Sequence, residues 1–292
     1  MGEESRLPEK MMTKKAPVSV IILTLNEEEN IEDCLKSVFG WSDDIHIVDS
    51  FSKDSTIDIA RKYTQNIHQI PMAHWAHIRN WALKNLLLKY EWVLFLDADE
   101  RLTEELKKEI VAVLKGSPKE NGFYIKRRFF FLGRWLKYGG LYTKVLRLFK
   151  KDHARYVEFG DSEYAIVEGK VGFLRNDMIH EDKKGISRWI EKHVKIAERE
   201  AKRIIEKKKI GLELDRNDVE IEGKKRIRIR AKIWDRIPLL LRPFLLFIYC
   251  YFIKLGFLDG KEGLIYHLLW ALWYRLLVYV KVRELTILPT RK

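Results

Sequence analysis

Two carboxylates with one residue between them, Asp97 and Asp99, are the clearest candidates for chemistry in this sequence. They lie in the segment FLDADE (residues 95–100). Side chains at positions i and i+2 of an extended chain point to the same side. Two hard carboxylates on one side suit a divalent cation that is held together with a substrate diphosphate. Acidic residues are also common in the first turn of a helix, so this segment alone leaves both interpretations open.

Polar residues also follow two other apolar runs, VSVIILTLN and IHIV. They are Thr24, Asn26 and Glu27 after the first run and Asp49, Ser50 and Ser52 after the second. Open α/β sheets bind ligands at the carboxyl ends of their strands, so these sets predict one crevice. Asp49 is placed there to accept hydrogen bonds from a base or a ribose, and helix capping is the alternative role of Asn26 and Ser52. The sequence contains no P-loop and no GxGxxG motif, which argues against ATPase and dinucleotide-binding sites.

The elements that must position these residues alternate between strands and helices. Three apolar runs, at residues 18–26, 45–48 and 92–96, are typical of strands buried on both faces. Helices are predicted after the first run and across residues 75–89. The alternation predicts an α/β fold with a mostly parallel sheet flanked by helices. Further along, NGFYIKRRFFF and TKVLRLF predict mixed or antiparallel strands with a glycine turn between them.

The C-terminal third has a different composition. From Ile186, apolar residues at helical spacing predict a long helix, and residues 206–232 are strongly basic. Two uncharged runs follow, eleven residues (243–253) and twelve residues (263–274) long. Each is shorter than the roughly 20 apolar residues of a membrane span, so their Trp, Tyr and flanking cations favour interfacial or re-entrant helices. A dimer or domain-packing surface and a true span are the alternatives.

The net charge calls for an anionic partner. The chain has 292 residues, with 55 Lys and Arg against 42 Asp and Glu, and a formal charge of +13. An apolar fraction of 47% excludes a disordered chain, and two cysteines are too few for a disulfide framework or a zinc site. Nucleic acid, an anionic membrane and phosphate-rich substrates each attract such a chain. The basic segment adjoins the aromatic tail rather than the crevice, which favours a membrane over nucleic acid. The polar first sixteen residues predict no signal peptide.

Four segments, in this order and spacing, resemble glycosyltransferase family 2, whose members have the GT-A fold. They are VSVIILTLNEEENIEDCLKSV, IHIVDSFSKDSTIDIA, HIRNWAL and WVLFLDADE. FFLGRWLKYGG, KVLRLF and LRPF…KLGFLDGKEG extend the resemblance to bacterial lipopolysaccharide-core glycosyltransferases of that family. The resemblance implies a Rossmann-like catalytic domain, an inverting transfer and a nucleotide-diphosphate sugar as the donor, with a UDP-sugar as the first expectation.

The resemblance also implies roles for single residues. The residues that would hold the nucleoside are Thr24, Asn26, Glu27 and Asp49. Arg79 would approach the diphosphate, Asp97 the ribose or the sugar, and Asp99 a divalent Mg or Mn ion. His180 would ligate the metal or contact phosphate, and Arg147 would reach the donor or acceptor phosphate. A purely structural role is the alternative for both His180 and Arg147.

A catalytic base is also required, because the acceptor hydroxyl must lose a proton as it attacks the anomeric carbon. Members of the family usually carry a V-H-E segment where this sequence has DSEYAIVEG. Glu163 is then the counterpart of the Glu, while Ser162 stands in place of the expected His. Because of this departure, Asp161 and Glu158 are further candidates, and ordinary surface acids are the alternative interpretation.

Together these inferences predict four segments and one function. The segments are a flexible tail (1–16), a GT-A catalytic domain (17–185), a long helix with a basic linker (186–235) and membrane-associating helices (236–292). The predicted function is a metal-dependent inverting glycosyltransferase whose acceptor is a lipid-linked saccharide of the lipopolysaccharide core or lipid A type. It would be a peripheral or monotopic protein at the cytoplasmic face of the inner membrane. The C-terminal helices are also a candidate surface for a homo-oligomer. A polyprenyl-phosphate glycosyltransferase and a basic nucleic-acid-binding protein are the alternatives.

Overall fold

The computed structural model describes residues 15–159, 162–210 and 237–287. Most of the predicted N-terminal tail, and residues 211–235 of the predicted linker, lie outside these ranges. The strands are β1 (Ser19–Thr24), β2 (Ile45–Asp49), β3 (Ile67–Gln69), β4 (Trp92–Asp97), β5 (Glu100–Leu102), β6 (Gly122–Phe131), β7 (Arg134–Leu136), β8 (Lys144–Lys150), β9 (Ala154–Phe159), β10 (Ser162–Val167) and β11 (Val171–His180). The helices that accompany them are α1 (Ile31–Val38), α2 (Thr56–Ala60), α3 (Trp75–Asn85), α4 (Glu104–Lys115) and α5 (Gly185–Ile210).

Nine strands form one sheet in the order β3-β2-β1-β4-β8-β6-β11-β5, with β7 paired to β6. The first four strands in this order are parallel to one another, and β6 is parallel to β11. In contrast, β8 runs antiparallel to both β4 and β6. The predicted α/β class with flanking helices is therefore confirmed, but the sheet is mixed rather than mostly parallel. The β9–β10 hairpin forms a separate two-stranded sheet.

The central strands are apolar on both faces because each face has its own helical layer. Along β1, Ile22 belongs to the core cluster that α1 and α4 cover, whereas Ile21 and Leu23 belong to the cluster under α3. This alternation follows from the two-residue period of a strand. A strand buried on both faces must be a near-continuous apolar run, which is why the sequence pattern identified β1, β2 and β4.

Helix α3 ends four residues earlier than predicted. Its last residue is Asn85, and the segment that follows turns so that the N–H of Lys89 donates to a carboxylate oxygen of Asp44 at 2.9 Å. Asp44 also accepts from the hydroxyl of Ser19 at 2.5 Å, which joins this segment to the start of β1. A tertiary hydrogen bond therefore overrides the helical periodicity of the sequence here.

The C-terminal helical unit, residues 237–287, consists of two long helical segments. The first is an α-helix, Arg242–Ile248, that continues as a π-helical turn, Tyr249–Ile253. The second is a helix of 32 residues, Gly256–Ile287, which is long and apolar enough to cross a membrane by length and composition alone. The prediction that neither apolar run is long enough to span was therefore wrong for the second one. It treated Arg275 as an end, whereas Arg275 lies inside the helix and its guanidinium pairs with Glu200 of α5 at 3.1 Å.

The C-terminal helical unit is packed against the α/β part of the chain. Both carboxylate oxygens of Asp259 accept backbone N–H groups, from Lys137 at 3.0 Å and from Tyr138 at 2.9 Å. The N–H of Gly139 donates to the carbonyl of Lys254 at 2.9 Å. These contacts join the segment after β7 to the turn between the two helical segments. We call these segments the first tail helix (Arg242–Ile253) and the second tail helix (Gly256–Ile287).

Two glycines make this close approach possible. Gly139 and Gly256 both lie against the imidazole of His267, and a Cβ at either position would overlap with that ring. His267 itself is completely buried, and neither of its ring nitrogens has a hydrogen-bond partner among the described residues. Burial lowers the pKa of His267, so it behaves as a neutral packing group.

Candidate active site

Asp97, the last residue of β4, is held by two arginines from different elements. Arg79 of α3 pairs with one carboxylate oxygen and Arg147 of β8 pairs with the other. Both arginines are almost completely buried, whereas 35% of the Asp97 side chain is exposed. Burial alone would raise the pKa of Asp97, but the charges of Arg147 and Arg79 outweigh it and hold the pKa far below its ordinary value. Asp97 is therefore an ionised and fixed hydrogen-bond acceptor.

Glu100 of β5 supports the same group from inside the sheet. It is completely buried, and it accepts from Arg147 at 3.0 Å and from the backbone N–H of Asp97 at 3.0 Å. A third arginine, Arg127 of β6, lies 3.5 Å from Glu100. Two carboxylates and three guanidinium groups thus share one largely buried network. Buried charges must be paired in this way, because an unpaired charge away from water is strongly destabilising.

Asp99 and His180 form a second pair beside this network. Nε2 of His180, the last residue of β11, lies 3.3 Å from a carboxylate oxygen of Asp99, and each side chain is about one fifth exposed. Burial would raise the pKa of Asp99 and lower that of His180, but each group's charge outweighs burial at the other. The pKa of Asp99 is therefore lowered and that of His180 is raised.

An aromatic contact connects His180 to the C-terminal helical unit. The ring of Phe129, opposite His180 in the β6–β11 register, lies 5.5 Å from the imidazole, centroid to centroid. The same ring lies 4.9 Å from that of Tyr266 in the second tail helix. The tail therefore packs directly behind the Asp99–His180 pair.

Asp49 at the end of β2 is completely buried and fully hydrogen-bonded. Its carboxylate accepts from Thr24 at 2.9 Å, from Gln69 at 3.0 Å, and from both the backbone and the hydroxyl of Ser52. The structure thus brings Thr24, Asp49 and Ser52 together at one sheet edge, as the strand ends predict. The nucleoside role of Asp49 and Thr24 stays a prediction.

Asn26 and Glu27 form the loop after β1. Asn26 has a left-handed backbone with φ of 54°, its N–H donates to Ser52 at 2.8 Å, and its side-chain oxygen accepts from Lys53. Glu27 pairs with Lys184 at 2.6 Å. Burial raises the pKa of Glu27 although Lys184 opposes it, and the pKa of Lys184 is raised by Glu27 against the effect of burial. This ion pair connects the segment after β11, which contains Lys184, to the loop after β1.

The three candidate bases have different surroundings. Glu163 of β10 reaches the Asp97 network, with a carboxylate oxygen 3.4 Å from Nε of Arg79 and a side chain 18% exposed. Glu158, its partner across the hairpin, pairs instead with His77 at 2.9 Å and is 43% exposed. Asp161 lies outside the described residues. The geometry therefore favours Glu163, but the role of each carboxylate stays a prediction.

Three residues of the site were missed in the sequence. Glu100 belongs to the FLDADE segment, so its acidity was visible but its burial was not. Arg127 lies in the KRR stretch of β6, and a cation between the aromatic residues of a strand was a signal that could have marked it. Lys184 lies 157 residues from its partner Glu27, and no local pattern reveals such a pair.

A divalent metal ion fits the Asp99–His180 pair chemically. A carboxylate and an imidazole are both ligands of Mn²⁺-type ions, and two protein ligands leave positions for phosphate oxygens and water. Among the described residues, the only set of three or more close metal-ligating groups is Glu28, Glu29 and Asp54. Two of these three are exposed on the surface, and none belongs to the network around Asp97.

Comparison with known proteins assigns the same part of the chain to a family. The model of glycosyl transferase family 2 matches residues 19–160. A glycosyltransferase of Rickettsia bellii is 35% identical over 100 residues, which are 34% of this chain and 33% of that protein. The lipopolysaccharide core biosynthesis glycosyltransferase LpsC of Rhizobium meliloti is 30% identical over 175 residues, 56% of this chain and 62% of LpsC. The chain thus spans about a third of the first relative and about three fifths of the second.

A solved structure extends over most of the chain. The mannosyltransferase PcManGT from Pyrobaculum calidifontis, in complex with GDP-Man and Mn²⁺, is 16% identical and has a TM-score of 0.48. The alignment covers 93% of this chain and 88% of that one. The family match itself rests on residues 19–160, which include Thr24, Asp49, Asp97 and Asp99. On this match, residues 19–160 form a glycosyltransferase family 2 domain.

Proposed function

We propose that the protein transfers a sugar, with inversion, from a nucleotide-diphosphate sugar to a lipid-linked saccharide. The observation that carries the proposal is that two aspartates at the end of β4 have different partners. Asp97 is fixed by Arg79 and Arg147, while Asp99 is paired with His180. A carboxylate fixed by two arginines and a carboxylate with a single imidazole partner, at the carboxyl ends of the parallel strands, suit a donor with a hydroxylated sugar and a diphosphate.

The nucleoside would bind over the two loops that follow β1 and β2. Thr24, Asn26, Glu27 and Asp49 would line this part, with Asp49 held in one orientation by Thr24 and Ser52. A UDP-sugar is the donor to test first, because the resemblance to the family implies it.

The leaving diphosphate gains negative charge as its bond to the sugar breaks. Arg79 and Arg147 are buried against Asp97, so they would act by orienting that carboxylate and through their field. Arg127 is more exposed, at 22% of its side chain, and its Nε has no hydrogen-bond partner among the described residues. Arg127 and Lys184 would therefore be the cations nearest the phosphates. Asp99 and His180 would hold a Mg or Mn ion, which supplies Lewis-acid stabilisation of that charge when bound.

The acceptor hydroxyl attacks the anomeric carbon from the face opposite the diphosphate. The new carbon–oxygen bond forms as the bond to the diphosphate oxygen breaks, and the hydroxyl proton passes to a carboxylate. Glu163 would take that proton, since it is the candidate that borders the Asp97 network. Arg79 would keep the Glu163 carboxylate oriented.

The acceptor would be a lipid-linked saccharide of the lipopolysaccharide core or lipid A type, at the cytoplasmic face of the membrane. The similarity to LpsC supports this class, and so does the large exposed apolar surface of the C-terminal helical unit. No nucleic-acid partner is invoked.

A donor screen followed by a transfer assay tests the proposal. Nucleotide sugars are added with Mn²⁺, and a donor should raise the melting temperature relative to its nucleoside monophosphate. Transfer to a lipid-linked acceptor is then measured with that donor, for the wild type and for Asp99→Asn. The variant should lose the Mn²⁺-dependent part of the stabilisation and most of the transfer. Undiminished transfer by Asp99→Asn would exclude Asp99 as a metal ligand. The absence of stabilisation by any nucleotide sugar would exclude a nucleotide sugar as the donor.

A further inference from the structure

The first tail helix is apolar on the side that faces away from the protein. Pro243 and Cys250 face inward and are buried. Eleven large apolar residues of the first tail helix, of the residues next to it and of the first turn of the second helix are each between 41% and 67% exposed. We call them the tail surface: Leu240, Leu241, Phe244, Leu245, Ile248, Tyr249, Phe252, Ile253, Leu255, Phe257 and Leu258. A surface helix in water carries polar residues on its outer face, so a helix that is apolar all round needs a partner.

The charges around the tail surface indicate what that partner is. Lys254 and Lys261 are exposed, Lys261 at 86% of its side chain, and Arg242 begins the helix. The two acidic residues of residues 237–268, Asp259 and Glu262, are turned inward. Asp259 holds backbone N–H groups, and Glu262, 15% exposed, lies 3.4 Å from Arg134. The rim of the tail surface is therefore positive, which matches anionic lipid headgroups.

A second copy of the chain fits this surface less well. A two-fold dimer would place the tail surface against itself, and each rim of cations would face its own equivalent. Like charges opposite each other oppose such an association, whereas phosphate headgroups neutralise them.

One face of the second tail helix packs on the protein along its length, whereas Leu264, Ile265, Leu268 and Val280 are exposed at 36% to 53%. Tyr266, Ala271, Tyr274, Val278 and Val282 recur at helical spacing and are each at most 7% exposed. Tyr266 packs on Phe129 and Phe131, and the later residues pack on α5.

Helix α5 is not compatible with a bilayer at this position. Its Glu191 and Lys202 side chains are 61% and 56% exposed, and they lie on the element against which the second tail helix packs. Crossing about 30 Å of hydrocarbon would carry these charges in as well, at a cost of several kcal/mol, unless the helix left its packing partners.

We propose that the protein is bound in the plane of an anionic bilayer, with the tail surface in the headgroup and upper acyl region. Beyond its first turn, the helix Gly256–Ile287, although long enough to span, stays on the protein side of the membrane. This inference deepens the proposed function, because it places the enzyme where a lipid-linked acceptor lies. Its tests do not use transfer activity, so a failed transfer assay with intact vesicle binding would reject the proposed function alone.

Vesicle binding of the full chain is the first test. Sedimentation with phosphatidylglycerol-containing vesicles is compared for the wild type and the double variant Phe252→Glu/Ile253→Glu. The variant should bind at least about tenfold more weakly, because two inserted apolar side chains become charged. The matched control is Leu87→Glu/Val280→Glu, which places two charges at exposed apolar positions away from the tail surface. It should bind like the wild type, and all variants should keep the wild-type circular dichroism spectrum.

Three outcomes would overturn the proposal. The first is equal binding by wild type and Phe252→Glu/Ile253→Glu. The second is a dimer without lipid that this double variant dissociates, which would make a second copy the occupant. The third is loss of binding in the Leu87→Glu/Val280→Glu control, which would place the second tail helix in the bilayer.

Labelling from one side of the membrane tests the orientation directly. Single variants Lys261→Cys and Ile287→Cys lie near opposite ends of the second tail helix, and both positions are exposed. A membrane-impermeant maleimide added outside sealed vesicles should label both, against a wild-type background from the buried Cys34 and Cys250. Protection of one position until the vesicles are opened would show a span and overturn the in-plane arrangement.

Discussion

At the scale of single residues, the two aspartates of FLDADE differ because their neighbours differ. Asp97 receives a buried guanidinium at each oxygen, so its charge is compensated before any ligand arrives. Asp99 has one imidazole partner. A charge that is already neutralised can orient a hydroxyl group, while a less compensated carboxylate can hold a cation.

The first residue-scale prediction concerns Glu163. We expect Glu163→Gln to lower transfer by about 100- to 1,000-fold, because an amide keeps the shape of the side chain but cannot take a proton. The matched control is Glu158→Gln, which changes the paired residue of the same hairpin and should retain most of the activity. Initial rates with saturating donor measure the effect.

Donor affinity separates a base from a structural carboxylate in that experiment. Thermal shift with the nucleotide sugar should be the same for Glu163→Gln and the wild type. Equal losses of transfer in the Glu163 and Glu158 variants would reject the assignment of Glu163 as the base.

The second residue-scale prediction is a dependence of stability on pH at Asp44. This buried carboxylate is 2.9 Å from His46 and also accepts from Ser19 and Lys89. Burial would raise its pKa, but these hydrogen bonds outweigh burial and lower the pKa to about 2. Because the folded-state pKa lies below the unfolded one of about 3.9, Asp44 stabilises the fold by about 2 kcal/mol above pH 5.

That stability should be lost as the pH falls from about 5 through 2. Urea unfolding at pH 7 should show Asp44→Asn to be less stable than the wild type, and the difference should nearly vanish near pH 2. The control is Asp58→Asn, whose side chain is 78% exposed and which should change little at either pH. A difference at Asp44 that does not change with pH would contradict the prediction.

At the scale of elements, the contact between the catalytic domain and the tail depends on glycine. Gly139 and Gly140 both have left-handed backbones, with φ of 69° and 84°, but only Gly139 lies against His267. We expect Gly140→Ala to lower the free energy of unfolding by about 1 kcal/mol, through backbone strain. Gly139→Ala should lower it by a further 1–3 kcal/mol or so, because the new methyl group must displace the imidazole. Urea unfolding of the two variants side by side isolates the steric part, and equal losses would contradict it.

The elements differ in how well the sequence predicts them. Strands β1, β2 and β4 and the polar residues at their ends were predictable, because a strand covered on both faces leaves an apolar run and a sharp polar end. The position of β8 between β4 and β6 was not, since it depends on pairing between segments far apart in the chain. That pairing brings Arg147 to Asp97, so half of the carboxylate's environment was invisible to local patterns.

The same limit explains the error in the tail. Arg275 interrupts an apolar run and therefore resembles a helix end in the sequence. In the structure Glu200 of α5 compensates its charge, and the helix continues for another three turns or so. Sequence periodicity contains no information about a partner 75 residues away.

At the scale of the whole molecule, the C-terminal helical unit completes the core. Phe131 and Leu136 of the catalytic domain and Tyr266 of the tail form one buried cluster. We expect deletion of residues 237–292 to lower the free energy of unfolding by several kcal/mol, on the order of 1.5–3 kcal/mol for each large apolar side chain exposed. Urea unfolding and binding of a hydrophobic dye measure this effect.

The variant Phe252→Glu/Ile253→Glu serves as the control for that deletion. It changes the outer face of the tail but leaves the buried cluster in place, so its free energy of unfolding should stay close to that of the wild type. Equal stability of the truncated and full chains would show instead that the tail is a separate unit.

The ring of Phe129 touches both His180 and Tyr266, which lies on the tail. A movement of the tail helix at Tyr266 therefore meets the imidazole of His180 after a single intervening side chain. By thermodynamic reciprocity, if adsorption to lipid raises the affinity for the donor through this contact, occupancy of the donor site strengthens adsorption by the same factor. The enzyme would then retain its charged donor longest where its acceptor is concentrated, with no additional regulatory domain.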